Sequence, residues 1–373
     1  MTTHIHDAVV ASPGFEEHSM ELGIYSFGDV HADPVTGALI SPEQRMADLL
    51  ERARLADEVG LDYFGIGEHH RADYAVSSTI PVLAAAAAQT KHIKVGSAVT
   101  VLSTEDPVRV YQQFATLDLL SGGRAEVTAG RGSFIESYPL FGANLNDYEE
   151  LYDEKIDLLL ALNKAGNNEE PITWSGKFRP ALDQATIYPR PVNNNLDIWI
   201  ATGGTPSSTA RAAALGTNVI YALLGGSISN FARHAQLFRT GAQQAGHDAR
   251  ALKVGVSAVG LVAKNGATDT FYPYWRHLME GISRERGFSQ PNRISYNMQT
   301  APAGAIYAGA PEQVAEKILL THQRMGHDRH ILEMDLASVP QKDVLKSIEL
   351  FGTEVKPLID AELKTTNTKG PTA

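Results

Sequence analysis

Eight short apolar runs punctuate the chain, at 22–27, 63–66, 93–102, 125–129, 198–201, 219–224, 254–262 and 330–336. Most are near-continuous rather than alternating. Parallel strands buried on both faces have this signature, because neither face needs polar residues. Between the runs, hydrophobic positions recur at helical spacing. Over 42–59, Met46, Leu49, Leu50, Ala53, Ala56 and Val59 fall on one face. Ser41 and Gln44 form a capping-box pattern, Pro42 takes the first helical position, and Gly60 closes the helix. The same start signal recurs at Asp106-Pro107, Thr205-Pro206 and Ala310-Pro311. Further helices are predicted near 79–90, 147–163, 228–245, 268–286 and 341–363. Eight strands alternating with helices predict an α/β fold, a (β/α)8 TIM barrel with insertions. A doubly wound open sheet shares the local pattern. The strand count, and the lack of a GxGxxG loop after the first run, favour the barrel.

The barrel is expected to span 20–364 as one domain. Residues 1–19 and 365–373 show no period and are expected to form a flexible arm and tail. Two segments exceed ordinary connections. The stretch 164–196 carries several prolines and glycines and is expected to fold as a small hairpin outside the barrel. The stretch 287–305 is expected to be an irregular lid or binding loop.

Composition narrows the function. The chain has 373 residues, 43% hydrophobic and 20% charged, which excludes a mostly disordered chain and a coiled coil. A net charge of −11 argues against a nucleic-acid partner but leaves room for a local anion site. With no cysteine, disulfides, thiolate metal sites, Fe–S clusters and a cysteine nucleophile are excluded. The longest apolar stretch, 80–88, contains Pro81 and is too short to span a bilayer. The start MTTHIHDAVV has no leader pattern. A cytoplasmic protein without a membrane partner is expected.

Barrel active sites lie at the C-terminal ends of the strands, so the residues after each run matter most. After the second run come Glu68, His69 and His70. Histidine titrates near neutral pH and serves as general acid or base. Packing is the plain alternative. Adjacent histidines on a strand end point in opposite directions, so a shared metal is not expected. His4 and His6 precede the first run and do not resemble a barrel metal pair. After the third run, the small residues from Ser97 through Ala98 and Val99 to Thr100 let a flat ring approach the backbone, or simply pack the core. After the fourth, Arg131 sits between Gly130 and Gly132. Its fork fits a phosphate, or an ion pair with Glu68 or Asp147. After the fifth, Gly203 and Gly204 allow a turn, and Thr205, Ser207, Ser208 and Thr209 crowd a helix start. Free N–H groups there suit an anion, with ordinary N-capping by Thr205 as the alternative. Gly225, Gly226 and Ser227, after the sixth run, would widen that site. Neither GxSxG nor HExxH occurs, and no metal is expected.

Four segments in fixed order then carry a family resemblance: ADEVGLDYFGIGEHH (56–70), VGSAVTVLSTEDPVRVYQQFATLDLLSGGRAEVTAGRGSF (95–134), FGANLNDYEELYDEKIDLL (141–159) and IATGGTPSSTARAAALG (200–216). The chain resembles the bacterial-luciferase-like flavin-dependent monooxygenases over about 22–363. The resemblance implies a (β/α)8 barrel, FMN or the deazaflavin F420 at its mouth, and frequent dimerisation. It makes His69 the catalytic histidine of the EHH pattern, handling protons at the C4a-peroxyflavin stage. It makes Arg131 a contact of the flavin phosphate, with Thr205 and Ser208 completing that site beside Gly203 and Gly204. Ala98 and Val99, with Thr100, run against the isoalloxazine ring, often near a cis peptide. There are two departures. Gly130 stands where luciferase has a reactive cysteine. Tyr148 stands where many relatives carry a second phosphate-binding Arg, which implies modest phosphate affinity.

The expected function is a monooxygenase that receives reduced FMN from a separate flavin reductase and uses O2 on a small organic substrate. F420-dependent hydride transfer is the alternative, with Arg109 and Arg124 as candidates for holding its polyanionic tail. A non-catalytic flavin-binding subunit and a metal-dependent barrel hydrolase are further alternatives. Trp199, Phe134, Tyr138, Tyr296 and Met298 are candidate substrate contacts, with core packing as the alternative. A homodimer is expected through the helices after the second and third strands, where the Ala-rich stretch 84–88 permits close approach.

Overall fold

A computed structural model of the chain describes residues 19–132 and 134–368. The arm over 1–18, with His4 and His6, and the last residues 369–373 lie outside the described residues. Eight parallel strands close into a barrel. They are β1 (Glu21–Ser26), β2 (Tyr63–Ile66), β3 (Lys94–Ser97), β4 (Ala125–Gly130), β5 (Asp197–Thr202), β6 (Asn218–Leu223), β7 (Val254–Val262) and β8 (Arg329–Glu333). Each pairs with the next, and β8 returns to β1 with Arg329 opposite Glu21 and Glu333 opposite Tyr25. Each predicted apolar run overlaps one of these eight strands, so the predicted TIM barrel is the observed fold. Among the described residues, no helix is long and apolar enough to cross a membrane.

Several local expectations are corrected. The run 93–102 is not one strand. β3 ends at Ser97, the Ala98–Val99 peptide is cis, and a two-residue strand, Thr100–Val101, resumes against Ala129 and Gly130. The stretch 287–305 is not irregular throughout. Asn292 and Ser295 cap each other and start the helix Arg293–Thr300. A further short strand, Ile306–Gly309, pairs with the far half of β7. Ser41 accepts a hydrogen bond from the Gln44 amide at 3.1 Å, but the Gln44 side chain turns to Asp48, so the box is half made. The stretch 164–196 begins inside the helix Tyr148–Asn168 and contains an antiparallel pair, Ile172–Trp174 with Leu182–Ala185. The last helix, Lys356–Thr368, reaches into the stretch 365–373.

The N-terminal end of the barrel is plugged by charge. Arg329, fully buried, bonds Glu126 at 2.5 and 3.0 Å and Glu21 at 2.5 Å. Lys94 meets both carboxylates at 2.9 Å. The guanidinium lies between the rings of Tyr63 (4.6 Å) and Trp199 (4.3 Å). Each buried charge has a partner, as burial demands. Trp199 is therefore part of the barrel floor rather than a substrate contact. The open end is the C-terminal one, where the strand ends gather.

Candidate functional site

A cavity of about 800 Å3 opens there. That is within the roughly 300–1,000 Å3 typical of small-molecule sites. Tyr25, Thr128, Ile220, Ser257 and Ile331 form its floor from inside the barrel. Phe27, Phe134, Phe231 and Phe288 supply aromatic walls.

His69 lines this cavity at the end of β2. Its ring lies among Phe27 (4.6 Å between centroids), Tyr74 (4.4 Å) and Phe134 (4.8 Å). Burial, helped by the charges of Arg71 and His70, pushes its pKa down to about 3. At neutral pH the ring is uncharged and carries one donor and one acceptor nitrogen. His70 makes a different contact: its Nε2 lies 3.8 Å from Glu68 Oε1. That carboxylate raises the His70 pKa. Glu68 Oε1 also accepts from the Val101 amide at 3.2 Å, which fixes the strand that resumes after the cis peptide. No group of three or more His, Cys, Asp or Glu side chains able to hold a metal occurs among the described residues.

Beside His69 runs a strip of small residues, Ala98, Val99, Gly130 and Gly203, all lining the cavity. A Cβ at Gly130 would stand 2.7 Å from Val99 Cγ2, so the glycine lets the Val99 side chain lie flat across β4. Thr100 sits behind the strip, with its Oγ1 buried and without a hydrogen-bond partner. Gly204 turns the chain at φ +82°.

Arg131 forms the polar corner. Its Nη2 donates to Ser208 Oγ at 2.9 Å, and Thr205 Oγ1 donates to the same oxygen at 2.8 Å. Thr205 also caps the helix Pro206–Leu215, accepting from the Ser208 amide at 3.3 Å. The structure thus brings Arg131, Thr205 and Ser208 together. Gly225 lines the cavity nearby, while Ser227 caps the helix Ile228–Gln244. The carboxylate partner of Arg131 is Glu149 rather than Glu68 or Asp147. Glu149 also accepts from Arg211 Nη2 at 2.9 Å, and Arg211 Nε meets Asp153 at 2.5 Å. Tyr148 lies with its ring 5.1 Å from the Arg131 guanidinium. Sequence reasoning missed Glu149 and Arg211. Glu149 and Asp153, four apart on one helix face, were the available signal.

At the rim, Arg71 donates to Glu136 at 2.9 Å and to Glu285 at 2.6 Å, and its guanidinium stacks over Phe134 at 4.9 Å. This clasp joins the loops after β2 and β4 to the helix Ala267–Arg286. Of the aromatic and Met candidates, Phe134 alone lines the cavity. Tyr138 is buried against Tyr148, Tyr296 packs on Tyr272 and Trp275, and Met298 is exposed. Arg109 borders an outer groove between the helices Thr79–Ala87 and Pro107–Ser121. Arg124 donates to the carbonyls of Ala87, Thr90, Ile93 and Ser121, just before β4 begins. Neither lies at the mouth.

Ser137 Oγ, in a cavity-lining residue, is buried without a hydrogen-bond partner. A flat strip, an unspent hydroxyl and a guanidinium at a helix N-terminus suit a planar ring with a phosphorylated side chain.

The family model described as luciferase-like monooxygenase matches residues 20–329. The alkanal monooxygenase alpha chain of Photobacterium leiognathi is 22% identical over 85% of this chain and 94% of its own. The F420-dependent glucose-6-phosphate dehydrogenase of Amycolatopsis mediterranei is 30% identical over 42% of this chain and 48% of its own. The oxygenating constituent of 3,6-diketocamphane monooxygenase from Pseudomonas putida, solved with FMN, superposes with a TM-score of 0.70. It shares 21% identity and covers 91% of this chain and 99% of its own.

Proposed function

This chain belongs to the luciferase-like monooxygenase family, and on that footing we propose that it is an FMN-dependent monooxygenase. It takes reduced FMN from a separate flavin reductase and uses O2 on a small organic substrate. The observation that carries this reading is the junction, in one cavity, of the small-residue strip with the Arg131 corner. When bound, reduced FMN supplies the electrons that activate O2. Ala98, Val99 and Gly130 give its ring a flat bed, with Gly203 and Gly204 turning the chain beside it. Arg131, Ser208 and Thr205 hold the phosphate, with the first free amides of the helix Pro206–Leu215. Phe134, Phe288 and the Arg71 clasp keep water from the ring. His69, neutral and enclosed, gives or takes a proton at its ring nitrogens without resting as a cation.

F420-dependent hydride transfer is the second reading, favoured by the resemblance to the dehydrogenase named above. Arg109 and Arg124, the candidates for its polyanionic tail, lie away from the mouth, which favours FMN. We place the homodimer contact on the helices Thr79–Ala87 and Pro107–Ser121, where Leu120 is exposed beside Ile80 and Ala84. The test of cofactor choice is an anaerobic titration of the pure protein with reduced FMN and, separately, reduced F420. Tighter binding of reduced FMN is expected. Tighter binding of F420 would move the protein to hydride transfer.

A further inference from the structure

We propose that Glu149 is a built-in anion that holds the place of the cofactor phosphate until a phosphorylated ligand displaces it, with Arg211 as the second guanidinium of that site. The proposal rests on the flavin reading above. Its geometry is specific. The two oxygens of Glu149 are divided between two forks: Oε1 meets Arg131 Nη1, and Oε2 meets Arg211 Nη2 at 2.9 Å. A phosphate monoester offers oxygens to two guanidiniums in the same way. Both forks are held from behind. Arg131 spends Nη2 on Ser208 at 2.9 Å, and Arg211 spends Nε on Asp153 at 2.5 Å. Each guanidinium therefore keeps a nitrogen aimed at the point that the carboxylate now occupies.

Arg211 comes from the helix Pro206–Leu215, the same helix that brings Ser208 and its free first-turn amides. One element thus presents a hydroxyl, N–H groups and a positive charge to one anion. Arg211 supplies the second positive charge at this corner, where the Tyr148 ring lies 5.1 Å from the Arg131 guanidinium. With Glu149 and Asp153 in place, the two arginines are neutralised, one carboxylate for each.

Glu149 is the movable member. It stands in the first turn of the helix Tyr148–Asn168, and its side chain is 59% exposed, so solvent receives it when it swings out. Exposed ion pairs are each worth up to about a factor of five in affinity. Two such pairs are weak enough for a phosphate dianion to displace, yet they subtract from its binding. Riboflavin, without a phosphate, does not compete with Glu149. The carboxylate therefore compresses the preference for FMN over riboflavin and lets oxidised FMN leave after turnover.

The test uses the full chain with Glu149→Gln, which keeps the shape and removes the charge. Glu150→Gln is the control: it lies on the same turn but pairs with Lys177 at 2.7 Å. Dissociation constants for FMN and riboflavin are read by flavin fluorescence at fixed ionic strength, and inorganic phosphate binding by calorimetry. Glu149→Gln is expected to bind FMN about five- to twenty-five-fold more tightly, with riboflavin changed by less than about twofold. Glu150→Gln leaves both unchanged, and Arg211→Gln weakens FMN but not riboflavin. Equal shifts for the two flavins, or none for FMN, overturn the proposal. If neither flavin binds any variant, the flavin reading falls. Tighter phosphate binding by Glu149→Gln then still upholds the anion place, and unchanged phosphate binding removes it as well.

Discussion

Gly130→Ala probes the bed of the cavity directly. The added Cβ would stand 2.7 Å from Val99 Cγ2, 3.2 Å from its Cβ and 3.3 Å from Cγ1. Carbon atoms rest about 3.5–4.0 Å apart, so the whole Val99 side chain must retreat by several tenths of an ångström to about 1 Å. Rotation about χ1 does not help. Cβ is itself one of the clashing atoms, and a β-branched chain only exchanges methyls. The Val99 backbone must move, and Val99 lines the cavity. Overpacking of this kind costs about 1–3 kcal/mol. Alanine also narrows the unfolded ensemble, which returns about 0.4–1 kcal/mol. Urea unfolding should therefore show a net loss of about 1–2 kcal/mol. Val99→Ala removes both methyls that the new Cβ meets. The double variant should recover part of the loss, since the Cβ contact at 3.2 Å remains, with a coupling of about 1 kcal/mol in the cycle. Gly130→Ala should also weaken reduced FMN binding, and the added Val99→Ala should restore part of it. A variant as stable as the parent, or strict additivity in the cycle, would refute the packing argument. A cysteine, as luciferase carries here, would meet the same Val99.

His69→Ala is expected to lower turnover by about 10²–10⁴-fold while flavin affinity changes little. Turnover that survives the substitution removes the proton role of His69. A third prediction concerns His327 and His330, fully buried and with their rings 5.2 Å apart. Burial, with the charge of Lys317, pushes His330 down to about 3, and burial with His330 and His322 lowers His327. The unfolded chain, with histidine near 6.5, takes up protons before the folded one does. Stability is thus whole above about pH 6.5 and is lost as pH falls from there toward 3. Urea midpoints measured from pH 7 to pH 4 should fall, and His330→Gln should flatten that slope. An unchanged slope in the variant would remove His330 from the acid response.

The barrel was legible because strands buried on both faces leave near-continuous apolar runs that owe little to distant context. The elements that were missed are short and depend on distant partners. Thr100–Val101 exists by pairing with Ala129 and Gly130, and Ile306–Gly309 by pairing with the end of β7. Thr100–Val101 is hidden inside the longer run 93–102, and Ile306–Gly309 ends in alanine and glycine, so neither stands out as a run of its own. In the site, Arg131, Thr205 and Ser208 were visible as local motifs, and the fold converges them. Glu149 was not legible, because its partners Arg131 and Arg211 lie 18 and 62 residues away along the chain. Trp199 was misplaced because strand alternation alone does not say which end of the barrel receives Arg329.

Activation of O2 by reduced FMN in this cavity is the activity we propose. Its most direct test is rapid mixing of the anaerobic reduced-FMN complex with O2 while absorbance is recorded. A transient spectrum distinct from both oxidised and reduced flavin, shortened in lifetime when the Arg71 clasp is opened by Arg71→Ala, is the predicted result. Reoxidation at the rate of free reduced FMN, with no transient, would contradict it.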